Sequence, residues 1–336
     1  MHATLIVPAP FDTVSGGYAY DRRIVAGLRA EGHTIGIREL TGGDAALALA
    51  SLPAATIPVI DGLALPAFAA CAEALAQREA VALIHHPTAF ETGLEDARRA
   101  DIERRLLGCF ARIIATSGAT ADHLAAAFAV ARERIAVVVP GTDDAPRAVG
   151  SGGPTCNVLS LGALVPRKGH DLLLRALARL FDLDWHLTIV GTATRDAAYA
   201  HGLQALAEEL RIAPRITFAG EVDDAALDAL WHRTDLFALA THWEGYGMAI
   251  AEAFKRGIPV VVTQGGAAGS LVTLESGVVC PVGDQNQLSK SLRRMIFGAA
   301  LRRDMAEAAW RVGQTLPDWP TQAHAFANAL AFAHAP

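Results

Sequence analysis

Short apolar runs, many rich in β-branched residues, alternate along this chain with longer segments that mix apolar and charged positions. "ATLIVPAP" (3–10) reads as a buried strand, and "SGGYAYDRRIVAGLRAEGH" as a Gly-Gly turn followed by an amphipathic helix ending near Gly32. "TIGIREL", "TIPVIDG" and "AVALIHHP" are further strands, with "FAACAEALAQRE" helical before the last. "EDARRADIERRLLGCF" predicts a helix, "ARIIATS" a strand, "GATADHLAAAFA" a helix and "RIAVVVPG" a strand. The pattern lapses over 141–155 into "GTDDAPRAVGSGGPT", whose Gly, Pro and Ser content marks a linker.

The alternation then restarts. "CNVLSLGA", "WHLTIVG", "RITFAG", "DLFALAT", "PVVVT" and "GVVCPVG" read as strands with helices between them, and "PTQAHAFANALAFAHAP" as an apolar final helix. Strand–helix alternation implies parallel sheets with crossover helices. The expected organisation is a Rossmann-like domain over 1–145, a linker at 146–155, and a second Rossmann-like domain over 156–315. A C-terminal helix over 316–336 is expected to pack back on the first domain.

Composition narrows the class. Of 336 residues, 52% are hydrophobic and 19% charged, which is globular. No apolar run reaches the roughly 18 residues of a membrane span, and "MHATLIVPAP" carries no positive leader, so no signal peptide and a cytoplasmic location are expected. Cys71, Cys109, Cys156 and Cys280 are scattered without a CxxC, against a zinc site. A net charge of −6 argues against nucleic-acid binding. The arginines of "RRADIERRL" (98–106) read as solvated surface, so membrane contact is at most peripheral. Only three of the 29 basic residues are lysines, at 168, 255 and 290.

The candidate chemistry lies in the second half. In "THWEGYGMAIAEAFKRGIPVVVT" a helix is predicted from near Tyr246, beyond a strand's carboxyl end, where open α/β sheets bind ligands. Its N-terminus suits a phosphate. Glu244, before the helix, can hydrogen-bond a sugar, and Glu252, inside it, a ribose. The alternative is a capping acid and a surface helix residue. In "SLGALVPRKGH", Arg167 and Lys168 open a helix after a strand and can neutralise a diphosphate, or form a solvated basic turn. "DLD" (182–184) has the spacing of a metal-binding pair but precedes its strand, at the edge away from the ligand.

Together, the E-x7-E pair Glu244 and Glu252, the R-K-G turn and the Gly-Gly stretch after the first strand resemble the GT4 retaining glycosyltransferases. These are the glycosyl transferases group 1, of the GT-B fold. "VVVPGTD" (137–143) stands where that family has a P-N-G-x-D turn. The resemblance implies an α/β protein whose two Rossmann-like domains face each other across a cleft. It implies transfer of a hexosyl unit from a UDP- or GDP-linked sugar to an unidentified small-molecule or glycan hydroxyl, with retention and without metal or other cofactor. Gly16 and Gly17 match the loop at the donor diphosphate, and Arg167 and Lys168 the phosphate-binding cations. Glu244 matches the acid near the transferred sugar, Gly245, Tyr246, Gly247 and Met248 its backbone donors, and Glu252 the ribose acid. His85 matches a histidine near the sugar. Further candidates are His86, Ser117, which caps its helix or faces the acceptor, and Arg195 in "GTATRDAAY", where the family has G-x-G-x. "QGGAAGSLV" lacks the acid the family often has, which leaves Gly265, Gly266 and Ser270 as donor-loop candidates. Competing readings are another enzyme on this fold, an epimerase or a phosphorylase, and a catalytically silent nucleotide-sugar-binding protein.

Overall fold

A computed structural model of the chain describes residues 1–90 and 96–333. Glu95 of the predicted "EDARRADIERRLLGCF" helix, and 334–336 of the final helix, lie outside the described residues. The chain forms two compact units, Met1–Gly141 with Pro317–Pro336, and Thr142–Leu316.

Unit 1 runs β1 (His2–Pro8), α1 (Gly16–Ala30), β2 (Thr34–Leu40), α2 (Ala45–Ala50), β3 (Ile57–Asp61), α3 (Ala72–Gln77), β4 (Val81–Ile84), α4 (Ala97–Leu107), β5 (Arg112–Ala115), α5 (Gly118–Phe128) and β6 (Ile135–Val137). Its six strands are parallel, in the order β2-β1-β3-β4-β5-β6. The chain changes direction across the sheet between β1 and β3, which creates a crevice at their carboxyl ends. Gly16 and Gly17 are not a turn. Ser15 caps α1, its hydroxyl accepting from Tyr18 N, and the two glycines are the first helical residues. The helix expected over "FAACAEALAQRE" is shorter, because a 3-10 turn at Gly62–Phe68 containing Pro66 precedes α3.

Unit 2 runs β7 (Cys156–Leu161), α6 (His170–Ala178), β8 (Trp185–Val190), α7 (Ala197–Glu209), β9 (Ile216–Gly220), α8 (Asp224–His232), β10 (Leu236–Leu239), α9 (Met248–Lys255), β11 (Val260–Thr263), β12 (Gly277–Cys280), α10 (Gln285–Phe297) and α11 (Ala299–Gln314). Its strands are again parallel, in the order β12-β11-β10-β7-β8-β9, with the reversal between β7 and β10. Both faces are covered, which is why these strands read as continuous apolar runs. Val158, Leu236, Ala238 and Val261 pack into one core, while Leu159, Phe237, Leu239, Val260 and Val262 pack into the core on the opposite face.

Residues 146–155 have neither helix nor strand and are fastened to unit 2, where Ala148 N donates to Arg256 O and Val149 N to His232 O. The last helix, α12 (Trp319–Ala333), belongs to unit 1. It packs on α1, where Gly27 leaves room for Ala323 and Trp319 meets Tyr20 edge-on. No helix among the described residues is long and apolar enough to cross a membrane.

Candidate functional site

The reversal point of unit 2 brings together two segments far apart in sequence. After β7 the chain makes a 3-10 turn, Pro166–Lys168, and passes through Gly169 in a left-handed conformation (φ 62°) into α6. After β10 it runs through 240–247 into α9. Thr241 ties the segments: its hydroxyl lies 3.0 Å from Arg167 O and 2.9 Å from Trp243 O. His242 N donates to Arg167 O, and the Arg167 guanidinium donates back to Trp243 O at 2.8 Å.

This lattice aims both cations at one acid. Lys168 Nζ donates to Glu244 Oε1, and Arg167 Nη1 lies 3.8 Å from the same oxygen. All three side chains are largely buried, with 8%, 15% and 11% exposure for Arg167, Lys168 and Glu244. Glu244 is itself fixed by backbone, since its N donates to Gly265 O at 3.1 Å and its O accepts from Ala267 N at 2.8 Å.

Helix α9 begins at Met248, after Gly247, two residues later than Tyr246. No side chain among the described residues caps it, so the first turn keeps backbone N–H groups available. Glu252 is therefore the fifth helical residue, just over one turn in. Burial, with Asp143 and Asp228 nearby, pushes its carboxyl up to about 7 against the opposing pull of Arg256. Arg256 is drawn towards Asp228, at 2.6 Å.

In unit 1 the carboxyl ends of β3 and β4 meet the start of α1. The His85 ring, just past β4, lies over Gly17, where a Cβ would come within 3.3 Å of His85 Cδ2. Its Nε2 faces two carboxylates, Asp21 Oδ1 at 3.0 Å and Asp61 Oδ2 at 3.3 Å. Burial alone would lower the basicity of His85; the two acids outweigh it and lift the ring to about 10. Among the described residues, Asp21, Asp61 and His85 are the group whose ligand atoms, all within 4.8 Å of one another, are close enough to hold a metal ion.

Residues 144–312 match the family model described as glycosyl transferases group 1, and residues 59–145 match that of glycosyltransferase family 4. The chain belongs to the glycosyl transferases of group 1. Among the relatives of this group 1 member is the D-inositol 3-phosphate glycosyltransferase of Segniliparus rotundus, 31% identical over 50% of this chain and 40% of that one. Another is the lipopolysaccharide core biosynthesis mannosyltransferase LpsB of Rhizobium meliloti, 31% identical over 65% of this chain and 59% of that one. The chain thus spans about half the length of the curated relatives it matches. Among solved structures, sucrose-phosphate synthase from Thermosynechococcus elongatus superposes with a TM-score of 0.83 at 18% identity, over 99% of both chains. HepE of Anabaena, in complex with UDP and glucose, gives 0.79 at 18% identity over 99% of this chain and 100% of that one. At such identity the likeness is one of fold, and that fold is α/β GT-B, with two Rossmann-like units.

The structure places the sequence candidates in two sets. Arg167, Lys168, Glu244, Gly245, Tyr246, Gly247, Met248 and Glu252 lie along the β7 and β10 loops and α9, and Gly16, Gly17 and His85 at the carboxyl edge of unit 1. His86 follows His85 and is half-buried. Ser117 is buried and caps α5, its hydroxyl oxygen accepting from Thr120 N at 3.0 Å. Arg195 is exposed in the loop after β8. The acids of "DLD" precede β8, where Asp182 pairs with Arg293 at 2.6 Å and Asp184 accepts from Thr155 at 2.7 Å. Sequence reasoning passed over Thr241, and gave Gly265 no part in holding Glu244. It also missed Asp21 and Asp61. A signal for Asp21 was present: with Ile24, Val25 and Leu28 it occupies the buried stripe of α1.

Proposed function

We propose that the chain transfers a hexosyl unit from a UDP- or GDP-linked sugar to a hydroxyl acceptor, with retention at the anomeric carbon and without a metal. The observation that carries this reading is the convergence of Arg167, Lys168 and Glu244 at the reversal point of unit 2, beside the open N-terminus of α9. Group 1 membership supports it, as do the UDP and UDP-glucose complexes of HepE, a protein of the same fold.

In this reading the bond from the anomeric carbon to the diphosphate oxygen breaks and that to the acceptor oxygen forms on the same face. The departing diphosphate takes the acceptor's proton, so no side chain becomes a nucleophile. Negative charge builds on the leaving oxygen. Arg167, Lys168 and the first amides of α9 stabilise it, ready oriented in a partly dry site. Lys168 rests on Glu244 until the diphosphate arrives, which keeps a buried cation paired throughout. Glu244 then serves the sugar hydroxyls and Glu252 the ribose.

Calorimetry with UDP, GDP, ADP and TDP tests the donor class. One of them is expected to bind, and Glu252→Gln to weaken it roughly tenfold or more, as for a hydrogen bond to a charged group. Ribose hydroxyls donate to the ionised carboxylate, so wild-type affinity should rise with pH through about 7 and then level off. Glu252→Gln should flatten that component. A folded protein that takes up none of the four would refute the reading.

A further inference from the structure

The transfer scheme leaves unused a buried imidazole beside the Arg167–Lys168 turn of unit 2. His170 is the first residue of α6, one place after Gly169, and is 1% exposed. Its ring is turned towards the Gly162 and Ala163 backbone, in the loop after β7. Neither ring nitrogen reaches a hydrogen bond with the described residues. Burial and the Lys168 charge hold the ring neutral, lowering it to about 4 against the weaker pull of that backbone and of Asp171. Sealing polar atoms without partners costs stability, and an apolar side chain would fill the same space without that cost. Packing therefore does not account for a histidine here.

The loop that His170 faces also carries the Lys168 side chain. A Cβ on Gly162 would lie 2.9 Å from Lys168 Cε and 3.1 Å from Cδ, so the lysine stem runs across that glycine. The loop has little slack. Gly162 N donates to Val190 O and Leu164 N to Thr192 O, both at 2.9 Å. Gly191 approaches so closely that a Cβ on it would lie 2.0 Å from Gly162 O. Lys168 and His170 flank Gly169, whose left-handed backbone, pressed against the Ala240 carbonyl, fixes the directions in which the two side chains leave. The lysine stem and the imidazole thus engage one peptide segment, Gly162–Ala163.

We propose that His170 is a positioning residue for the donor site: its ring braces the Gly162–Ala163 backbone and through it holds Lys168 where the ammonium can meet a diphosphate, at a cost in the stability of the free protein. The segment is loaded when Lys168 leaves Glu244 for the phosphate. An imidazole beside it offers the shifted peptide groups one donor and one acceptor nitrogen. An apolar residue would offer them nothing, and a lysine or arginine in that place would repel Lys168.

The ligand in this proposal rests on the donor reading of the Arg167–Lys168 turn, whereas the bracing of Lys168 is measured without any nucleotide. The chain has three lysines, so carbon-13 labelling at lysine Cε gives three NMR signals. In the wild type, relaxation should show Lys168 ordered and the exposed Lys290 mobile. His170→Leu should move Lys168 towards the mobility of Lys290 and leave the buried Lys255 unchanged. The same variant should melt no lower than the wild type, since the stranded nitrogens are gone. By calorimetry it should nevertheless bind whichever of UDP, GDP, ADP and TDP the wild type takes up roughly tenfold more weakly. Stability and affinity moving in opposite directions is a result that a residue serving only to pack would not give. His170→Gln, which returns a donor and an acceptor, should regain part of the affinity. In the background of Lys168→Met with Glu244→Gln, His170→Leu should change affinity by less than about twofold, because no lysine is left to position. A His170→Leu chain that melts well below the wild type would show the ring to be structural and overturn the proposal. So would an ordered Lys168 or wild-type nucleotide affinity in that variant, or an equal loss of affinity in the background without Lys168. A wild type that binds none of the four nucleotides would fail the donor reading, and the lysine relaxation would then decide the bracing alone.

Discussion

Lys168→Ala is expected to lower donor-sugar turnover by about 10²–10³, the usual loss when one preorganised charge or donor at a developing anion is removed. It is also expected to destabilise unit 2. Lys168 and Glu244 form a largely buried pair, and removing one partner leaves the other's charge stranded. That typically costs about 3–5 kcal/mol. Arg167, 3.8 Å from the same carboxylate, takes over part of the role, so the loss should fall at or below the lower end of that range. The two effects separate in a double variant. Lys168→Met with Glu244→Gln removes both charges, so thermal unfolding should recover towards wild type while turnover stays low. Wild-type turnover in Lys168→Ala, or a double variant less stable than either single one, would show that the pair does not act as described.

Gly169→Ala should be among the most damaging single-methyl changes in unit 2. Gly169 holds a φ of 62°, and a Cβ there would overlap the Ala240 carbonyl oxygen. The left-handed backbone alone costs about 1–2 kcal/mol for a side-chain-bearing residue. Relief of the overlap must then move the turn that carries Arg167 and Lys168 away from β10. A loss of about 3 kcal/mol corresponds to a fall in melting temperature of roughly 6–12 °C for a unit of this size, together with weakened nucleotide binding. Gly32→Ala is the control. Gly32 also has positive φ, at 85°, but nothing among the described residues lies within 4 Å of its missing Cβ, so only the backbone cost should be seen, with nucleotide binding unchanged. Equal melting losses in the two variants would remove the packing argument.

What could be read in advance follows from how local each signal is. The runs "CNVLSL", "DLFAL" and "PVVVT" were legible as strands because a parallel sheet covered on both faces needs apolar residues at consecutive positions. Helix α9 was placed two residues early because Gly247 precedes it and no Ser, Thr, Asp or Asn caps it, so the usual start signal is missing. The opposite error occurred at Gly16 and Gly17, read as a turn although Ser15 caps the helix immediately before them. Arg167, Lys168 and Glu244 were each legible as candidates, but assigned separately to phosphate and to sugar. That Lys168 and Glu244 pair directly, 76 residues apart, is a consequence of strand order, which no local pattern encodes. Asp21 was hidden for a different reason. A charged residue on the apolar stripe of a helix has meaning only when its partner is known, and His85 reaches it from just past the end of β4.

The most direct test follows a nucleoside diphosphate sugar that binds the chain, by phosphorus and proton NMR, in the presence of excess EDTA. The account predicts release of the free nucleoside diphosphate, a first-formed product with the donor's anomeric configuration, no effect of the chelator, and a release rate about 10²–10³ lower for Lys168→Ala. A folded, nucleotide-binding protein that releases no diphosphate with any acceptor or with water would contradict it, as would an inverted product or activity that is abolished by EDTA and restored by Mn²⁺.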